Sequence, residues 1–511
     1  MKAKRALISV WDKRGILELA KALHEMGIEI VATEGTAKAL EGVPVRRISE
    51  LTGFTEMLDG RVKSLHPHVY SAILARNKEE DLRQLRKMGI EPIDIVIVNL
   101  YPFMEVAAKN EELDLLVENI DIGGVSLVRA AAKNFERVTV VVDPEDYNLI
   151  LEELKKYGGV REETRRRLAV KAFAYTSGYD DAITQALSSR LLGKGEMPDI
   201  LTLRFAKVQD LRYGENPHQK AALYKEIASI VSGAVVDAVQ LQGKELSFNN
   251  ILDLNAALEI IREFSKPMAV VIKHTNPCGA ATGETIRDAY VRARESDPVS
   301  AYGSIVGLNG KVDLDTAREI TSTFVEAVIA PGYTEDALEE LKKKESLRVL
   351  MLPSIKRREA GIDFRRVVGG LLVQSEDLTE EDFPDFKVVS AREPTEREVQ
   401  SALFGWRIVK HVKSNAIVIA NGEWVVGVGA GQMSRVDSAK IALEKAGGRA
   451  KGGVLASDGF IPFRDTVDAA AEAGVTCIIQ PGGSKRDEEV IEAANEHGMA
   501  MIHTGIRHFK H

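Results

Sequence analysis

Apolar positions recur along the chain in two periods. Ala6–Ser9 is a short apolar run that reads as a strand, and Ile16, Leu17, Leu19, Ala20 and Leu23 then repeat at helical spacing. Asp12 is the expected N-cap of that helix and Gly27 its stop. The stretch "IEIVAT" begins a second strand. Strand, helix and strand in succession predict a βαβ unit, and hence a parallel sheet. Further strands are expected at Asp94–Leu100 and Val138–Val142, closing a first α/β domain over residues 1–147.

Residues 148–199 follow as a charge-rich helical stretch, read as a connector with a solvated face. The region 200–511 returns to α/β patterning. Helices are expected over Thr285–Arg294, Thr395–Val412 and Asp437–Lys445, and strands over Val270–Ile272, Ala416–Ile419 and Cys477–Gln480. Two of these strands run into polar loops, "KHTNPCG" and "QPGGS", an echo that suggests a duplicated unit.

Composition narrows the function class. With 511 residues, 45% hydrophobic and 28% charged, the chain has enough apolar mass for several cores. A net charge of −8 argues against diffuse attraction to nucleic acid or an anionic membrane, while leaving room for a local basic pocket. Cys278 and Cys477 are too few for a disulfide framework or a four-ligand zinc site, and they fit a reduced compartment. The apolar run before Trp11 is too short for a signal peptide, and no segment approaches the roughly 18 apolar residues of a membrane span. A cytoplasmic location is the expectation.

The candidate chemistry sits in polar loops. In "AVVIKHTNPCG", Lys273 and His274 stand where an apolar strand ends, the place where α/β sheets collect ligands. A cation beside the imidazole should keep it neutral, as a general base requires. Asn276-Pro277 is expected to turn the chain, and Gly279 to permit an unusual backbone conformation. Nearby Cys278 lacks the companions a metal site needs. "LRYGENPHQ" carries Arg212, Tyr213, Asn216 and His218, and "KSNAIVIA" carries Lys413 and Asn415. "VGVGAGQMSR" supplies Gln432 and Arg435 but lacks the order of a dinucleotide fingerprint. In "SDGFIPFRD", Phe460, Phe463 and Asp465 could sandwich a flat ring and bond its edge. The tail "TGIRHFKH" holds Arg507, His508 and His511, as a docked terminus would.

The first domain has a cluster of its own. Ser9, Thr33 and Thr36 lie in strand-to-helix turns with Gly35, and Arg61, Lys63, Ser64 and His66 fall in "DGRVKSLHP". Tyr101, Asp121, Arg129 and Lys133 follow. Hydroxyls and cations at helix N-termini suggest a phosphate-bearing ligand.

Taken in order, "GRVKSLHP", "NLYPF", "DIGG…VRAAAKN", "LRYGENPHQ", "KHTNPCG", "KSNA", "GAGQMSR", "FIPFRD" and "QPGGS" resemble the bifunctional purine-biosynthesis family that joins AICAR transformylase to IMP cyclohydrolase. The resemblance spans nearly the whole chain. It implies a methylglyoxal-synthase-like N-terminal domain and a C-terminal region of two cytidine-deaminase-like α/β units without zinc or another metal. It implies formyl transfer from the co-substrate 10-formyltetrahydrofolate to AICAR, then dehydrative closure of formyl-AICAR to IMP, in a homodimer. Lys273, His274 and Asn415 match the transfer site, Arg212, Tyr213, Arg435 and Arg507 the AICAR site, and Phe460 and Asp465 the folate site. Lys63, Tyr101, Asp121 and Lys133 match the ring-closing residues, and Ser9, Lys13, Thr33, Thr36, Arg61 and Ser64 the phosphate cradle. Trp11 and Glu34 depart from the family pattern in that cradle, and Ser304 replaces a usual glycine. A carboxylate at Glu34 would repel phosphate if it faced it. The alternative is therefore an active transformylase whose N-terminal domain only binds a phosphorylated ligand.

Overall fold

The computed structural model describes residues 2–511 apart from 59, 110–111, 193–196, 228–232, 356–360 and 379–385. The chain divides into two units, Met1–Leu203 and Arg204–His511. No described helix is long and apolar enough to cross a membrane.

The first unit is built on five parallel strands: β1 (Arg5–Ser9), β2 (Glu29–Ala32), β3 (Val45–Arg47), β4 (Ile95–Val98) and β5 (Thr139–Val141). Their order is β3-β2-β1-β4-β5. Every residue of "IVIV" in β4 is buried, as covering both faces of a parallel sheet requires. The order reverses between β1 and β4, which opens a crevice at their carboxyl ends. The first helix, Ile16–Glu25, starts after Gly15, whose φ is 66°. Asp12 is not its N-cap: the Asp12 carboxylate accepts from the Arg14 backbone N–H (3.0 Å) and Nε (2.8 Å), closing a local turn instead. The stretch expected as a connector contains helices Tyr147–Tyr157 and Glu162–Leu191. Their residues Ile150, Leu154, Leu168, Ala172 and Tyr179 are buried in the same core as the sheet.

The second unit repeats one topology. Its first sheet contains β8 (Val239–Gln242), β9 (Met268–Lys273), β10 (Asn276–Thr282), β11 (Ser304–Leu308), β12 (Val325–Ala330) and β13 (Arg348–Met351), in the order β10-β9-β11-β12-β13-β8. Its second contains β16 (Lys387–Val388), β17 (Ile417–Ala420), β18 (Val425–Gly429), β19 (Val454–Ser457), β20 (Cys477–Gln480) and β21 (Ala500–His503), in the order β16-β21-β20-β19-β17-β18. In both, the hairpin is antiparallel, the next three strands run parallel to one another, and the first strand closes the far edge antiparallel. The duplication is therefore real, but the loops that correspond differ from the pair singled out in the sequence. The "QPGGS" loop after β20 matches "APGYT" after β12, whereas the "KHTNPCG" turn matches the β17–β18 turn.

Alternation along the strands sorts residues between layers. Val270, Ile272, Val418 and Ala420 enter one core shared with helices Phe248–Ile261 and Glu396–Val409. Ala269 and Val271 face the outer helices of the first sheet, and Ile417 and Ile419 those of the second. The predicted helix starts carry their caps: Thr285 accepts from Asp288 N–H, Thr395 forms a capping box with Glu398, and Ser434 accepts from Asp437 N–H. Two hairpins, β6 (Phe205–Leu211) with β7 (Ala221–Glu226) and β14 (Ile362–Val367) with β15 (Gly370–Ser375), stand apart from both sheets.

Candidate active sites

In the first unit the crevice at the carboxyl ends of β1 and β4 is a cleft of about 280 Å³. Of the residues marked in the sequence, Ser9, Lys13, Thr33, Thr36, Lys63, Ser64, Tyr101 and Asp121 line it. Thr33 Oγ1 lies 3.3 Å from Ser9 Oγ and 3.2 Å from Thr36 Oγ1, giving a compact cluster of three hydroxyls. Lys13 Nζ donates to the Val10 carbonyl and to Thr36 Oγ1. Burial, and then the nearby charge of Lys63, hold the Lys13 ammonium below its ordinary pKa. Two cations crowded beside hydroxyls favour an anion.

Lys63 Nζ also reaches Tyr101 OH at 3.5 Å and sits 5.8 Å from the centre of its ring. Asp121 is fixed on both sides: its carboxylate accepts from Gly124 N–H (2.6 Å), and its own N–H donates to Tyr179 OH (2.8 Å). Burial raises the Asp121 pKa despite the Gly124 amide and Lys63. The glycines of "DIGG" permit this closeness. A Cβ on Gly124 would come within 2.6 Å of Asp121 Oδ2 and 2.8 Å of Leu100, and one on Gly123 within 2.6 Å of Ser64 Oγ.

Both departures in the phosphate cradle have a place. Glu34 is turned out of the cleft, pairing with Arg47 (3.1 Å) and accepting from Ser49 Oγ (3.2 Å), and its backbone is ordinary first-turn helix. Trp11 forms a wall, its ring 5.0 Å from that of Tyr101. Asn99 is a cleft residue that sequence reading passed over: its Oδ1 accepts from the N–H groups of Trp11 (2.6 Å) and Asp12 (2.8 Å), tying the β1 loop to the end of β4. Four marked residues lie outside the cleft, His66 and Arg129 as well as Arg61 and Lys133. Arg61 is exposed and paired with Glu118. Lys133 ends helix Gly123–Lys133 on its exposed side, about 15 Å along the axis from the glycines.

In the second unit the Lys273–His274 segment is a β-hairpin turn rather than a strand-to-helix loop. Lys273 pairs with Asn276, leaving His274 (φ 51°) and Thr275 (φ 63°) as the two central residues, the pattern of a type I′ turn. Asn276-Pro277 thus opens β10 rather than turning the chain. Gly279 is needed for close approach, since a Cβ there would lie 1.9 Å from the Ala293 carbonyl oxygen. Lys273 Nζ donates to the carbonyls of Tyr302 (3.0 Å) and Gly303 (2.9 Å). His274 is exposed. Asn276, unmarked as a site residue, joins the two motifs: its Nδ2 donates to the His274 carbonyl (3.1 Å) and its Oδ1 accepts from Lys413 N–H (2.9 Å). The "KHTN" turn and the "KSN" segment are thereby held together.

Asn415 belongs to a pocket of about 430 Å³ that Arg435, Phe460, Phe463, Asp465 and Phe509 also line. Asn415 Nδ2 donates to the carbonyls of Gln432 (3.0 Å) and Met433 (3.2 Å), and its Oδ1 accepts from Arg435 (3.0 Å). Giving an N–H to a ligand therefore means exchanging one of these bonds. Arg435 is buried and spends its guanidinium on Asp458, Ser457 and Asn415, so it braces the pocket floor. Phe509 is the aromatic residue that sequence reading missed. Gly459 lets it approach, because a Cβ there would meet its ring at 2.5 Å. Arg507 stacks on Phe509 at 4.7 Å, and Arg486 on Phe463 at 4.8 Å. Lys413 Nζ holds the His511 carbonyl (2.8 Å), docking the tail as expected. Arg212 and Tyr213 lie beyond β6 outside this pocket, stacked on each other at 4.9 Å.

Comparison with known proteins finds two family models that match the chain, their bounds adjoining between residues 126 and 131 rather than at the boundary between the two units. A family model described as the AICARFT/IMPCHase bienzyme matches residues 131–445, and one described as an MGS-like domain matches residues 15–126. The chain is 53% identical over 512 residues to the bifunctional purine biosynthesis protein PurH of Halalkalibacterium halodurans, covering 99% of this chain and 100% of the relative. It is 52% identical over 514 residues to the PurH of Acetivibrio thermocellus and 54% over 513 to that of Anoxybacillus flavithermus, each again covering 99% of this chain and 100% of the relative. Matched from end to end at such identity, the chain belongs to the AICARFT/IMPCHase bienzyme family.

Proposed function

We propose that the chain catalyses the last two steps of IMP synthesis, formyl transfer in the second unit and ring closure in the first. In the transfer, the 5-amino nitrogen of AICAR bonds to the formyl carbon as the bond from that carbon to folate N10 breaks. His274 takes the amine proton, Lys273 returns a proton to N10, and Asn415 gives up its bond to Met433 to hold the formyl oxygen. Phe460 and Asp465 take the folate ring, with Phe509 as a further face. Arg212, Tyr213 and Arg507 receive AICAR. What supports this reading is the Asn276 bridge, which joins the Lys273–His274 turn to the segment carrying Asn415.

In ring closure the carboxamide nitrogen attacks the formyl carbon, and the formyl oxygen leaves as water with one hydrogen from each nitrogen. Lys63 and Tyr101 polarise the formyl oxygen, Asp121 moves protons, and Ser9, Lys13, Thr33, Thr36 and Ser64 hold the phosphate. The reading rests on one cleft containing two cations, three clustered hydroxyls and a half-buried carboxyl. Since Glu34 turns away from that cleft, nothing favours a binding-only first unit. The chain acts in the cytoplasm, as a homodimer. Exposed apolar residues on the detached hairpins, among them Phe205, Tyr224, Phe364 and Leu372, form the surface a second copy would cover.

Formyl-AICAR supplied to the full-length protein is expected to yield IMP, and AICAR with 10-formyltetrahydrofolate to yield the same product. Tight binding of formyl-AICAR without IMP would restore the binding-module alternative.

A further inference from the structure

His274 is exposed, and its imidazole makes no hydrogen bond to another described residue. Its placement therefore depends on the backbone of the turn. That turn is costly to hold. Both central residues have positive φ, where a two-residue hairpin normally carries Asn-Gly. A β-branched residue such as Thr275 is especially unsuited to the left-handed region. Something outside the hairpin must compensate.

Asp253 does so. It lies on helix Phe248–Ile261, whose start is fixed by a capping box between Ser247 and Asn250. Its carboxylate accepts from Thr275 N–H at 2.7 Å. The carboxylate is half-buried, with the imidazole and the backbone amide of His274 close to it as well. Asn276 completes the clamp from the other side by donating to the His274 carbonyl. The helix thus reaches the turn at its most strained peptide.

We propose that Asp253 is a positioning residue for formyl transfer, its carboxylate holding the His274–Thr275 turn in the conformation that aims the imidazole at the amine. The inference rests on His274 being the general base. Asp253 touches neither substrate nor the reacting atoms in this account. It acts through the Thr275 amide.

The distinguishing experiment measures formyl transfer by the full-length protein carrying Asp253→Ala, Asp253→Asn, His274→Ala, or Asp253→Ala with Thr275→Gly. Closure of supplied formyl-AICAR serves as the internal control for an intact molecule. Asp253→Ala should lower kcat about 10- to 100-fold, the scale of a small misplacement of a catalytic group, with KM for AICAR changing less than about 3-fold. Asp253→Asn keeps an acceptor oxygen and should retain most of kcat. Glycine accepts positive φ without strain, so Thr275→Gly should recover most of the rate lost in Asp253→Ala. The proposal is overturned if glycine fails to rescue while Asp253→Asn is as damaging as Asp253→Ala, which would make the carboxylate's charge the active feature. It is equally overturned if Asp253→Ala keeps full kcat while His274→Ala does not. Full activity in His274→Ala would instead sink the assignment of the base itself.

Discussion

Lys13 and Lys63 share a cleft that offers them hydroxyls, and burial first, then the charge of Lys63, lowers the pKa of Lys13. A phosphate in that space would be attracted to both, so Lys13→Ala should weaken formyl-AICAR binding more than it slows turnover. Titration calorimetry against single-turnover rates separates the two effects. Asp121 behaves oppositely. Its raised pKa keeps the carboxyl protonated to higher pH than the ordinary 3.8. If the ionised form accepts the proton, ring closure loses rate as pH falls through that raised value. The acid limb of the rate profile should therefore lie above 3.8, and Asp121→Asn should cost at least about 100-fold in rate at every pH. A limb that survives in Asp121→Asn belongs to another group. Glu34 shows what residue-level reading cannot reach. The departure from the family pattern was visible, but only the Arg47 and Ser49 contacts show where its carboxylate goes.

The elements were legible wherever local patterning and burial coincide. Strands such as Ile95–Val98 and Cys477–Gln480 are buried on both faces, so they stand out as continuous apolar runs. Helices with side-chain caps at Thr285, Thr395 and Ser434 began within two residues of where they were expected. Asp12 failed as a cap because the same carboxylate can close a turn on Arg14, a competition invisible to spacing. The His274–Thr275 turn failed for a related reason: it lacks the Asn-Gly signature, and its conformation is imposed by the distant Asp253. Gly279 was expected to permit an unusual backbone conformation, and Gly427 and Gly429 were noted only as part of a glycine-rich run. Gly279, Gly427 and Gly429 serve strand–helix contact, a Cβ on each falling about 2 Å from a helix carbonyl. Gly279→Ala should accordingly lower thermal stability by several degrees, because backbone on both sides has no room to yield. Calorimetry showing an unchanged transition would refute that packing reading.

At the scale of the molecule, duplication explains the design of the second unit. Two copies of one topology share a core through helices Phe248–Ile261 and Glu396–Val409, and Asn276 links a turn of the first copy to a loop of the second. The sequence hinted at this repeat only through a pair of loops, because the copies retain topology while their residues diverge. A buried cluster ties the copies further: Glu263 accepts from Lys410 (2.6 Å) and pairs with His411 Nε2 (2.7 Å). Burial pushes the Glu263 carboxyl up, but His411 and Lys410 outweigh it and hold it at about 2, while burial holds the His411 pKa below its ordinary value. The contribution of Glu263 to stability is complete above the ordinary value of 4.5 and is lost as pH falls from there towards 2. Glu263→Gln should therefore melt lower at neutral pH and show a smaller further loss across that acid window, read from melting curves at stepped pH.

If the two chemistries reside in two separate units, crossed single variants of the full chain separate them. Full-length wild type, Lys63→Ala and His274→Ala are each given AICAR with 10-formyltetrahydrofolate, and separately formyl-AICAR, with products resolved by chromatography. Lys63→Ala is expected to accumulate formyl-AICAR from the first mixture and to leave it unclosed in the second, at least about 100-fold slower than wild type. His274→Ala is expected to make no product from AICAR yet to convert supplied formyl-AICAR to IMP at the wild-type rate. If either substitution depresses both steps equally, or if His274→Ala formylates AICAR normally, the two-site account is wrong.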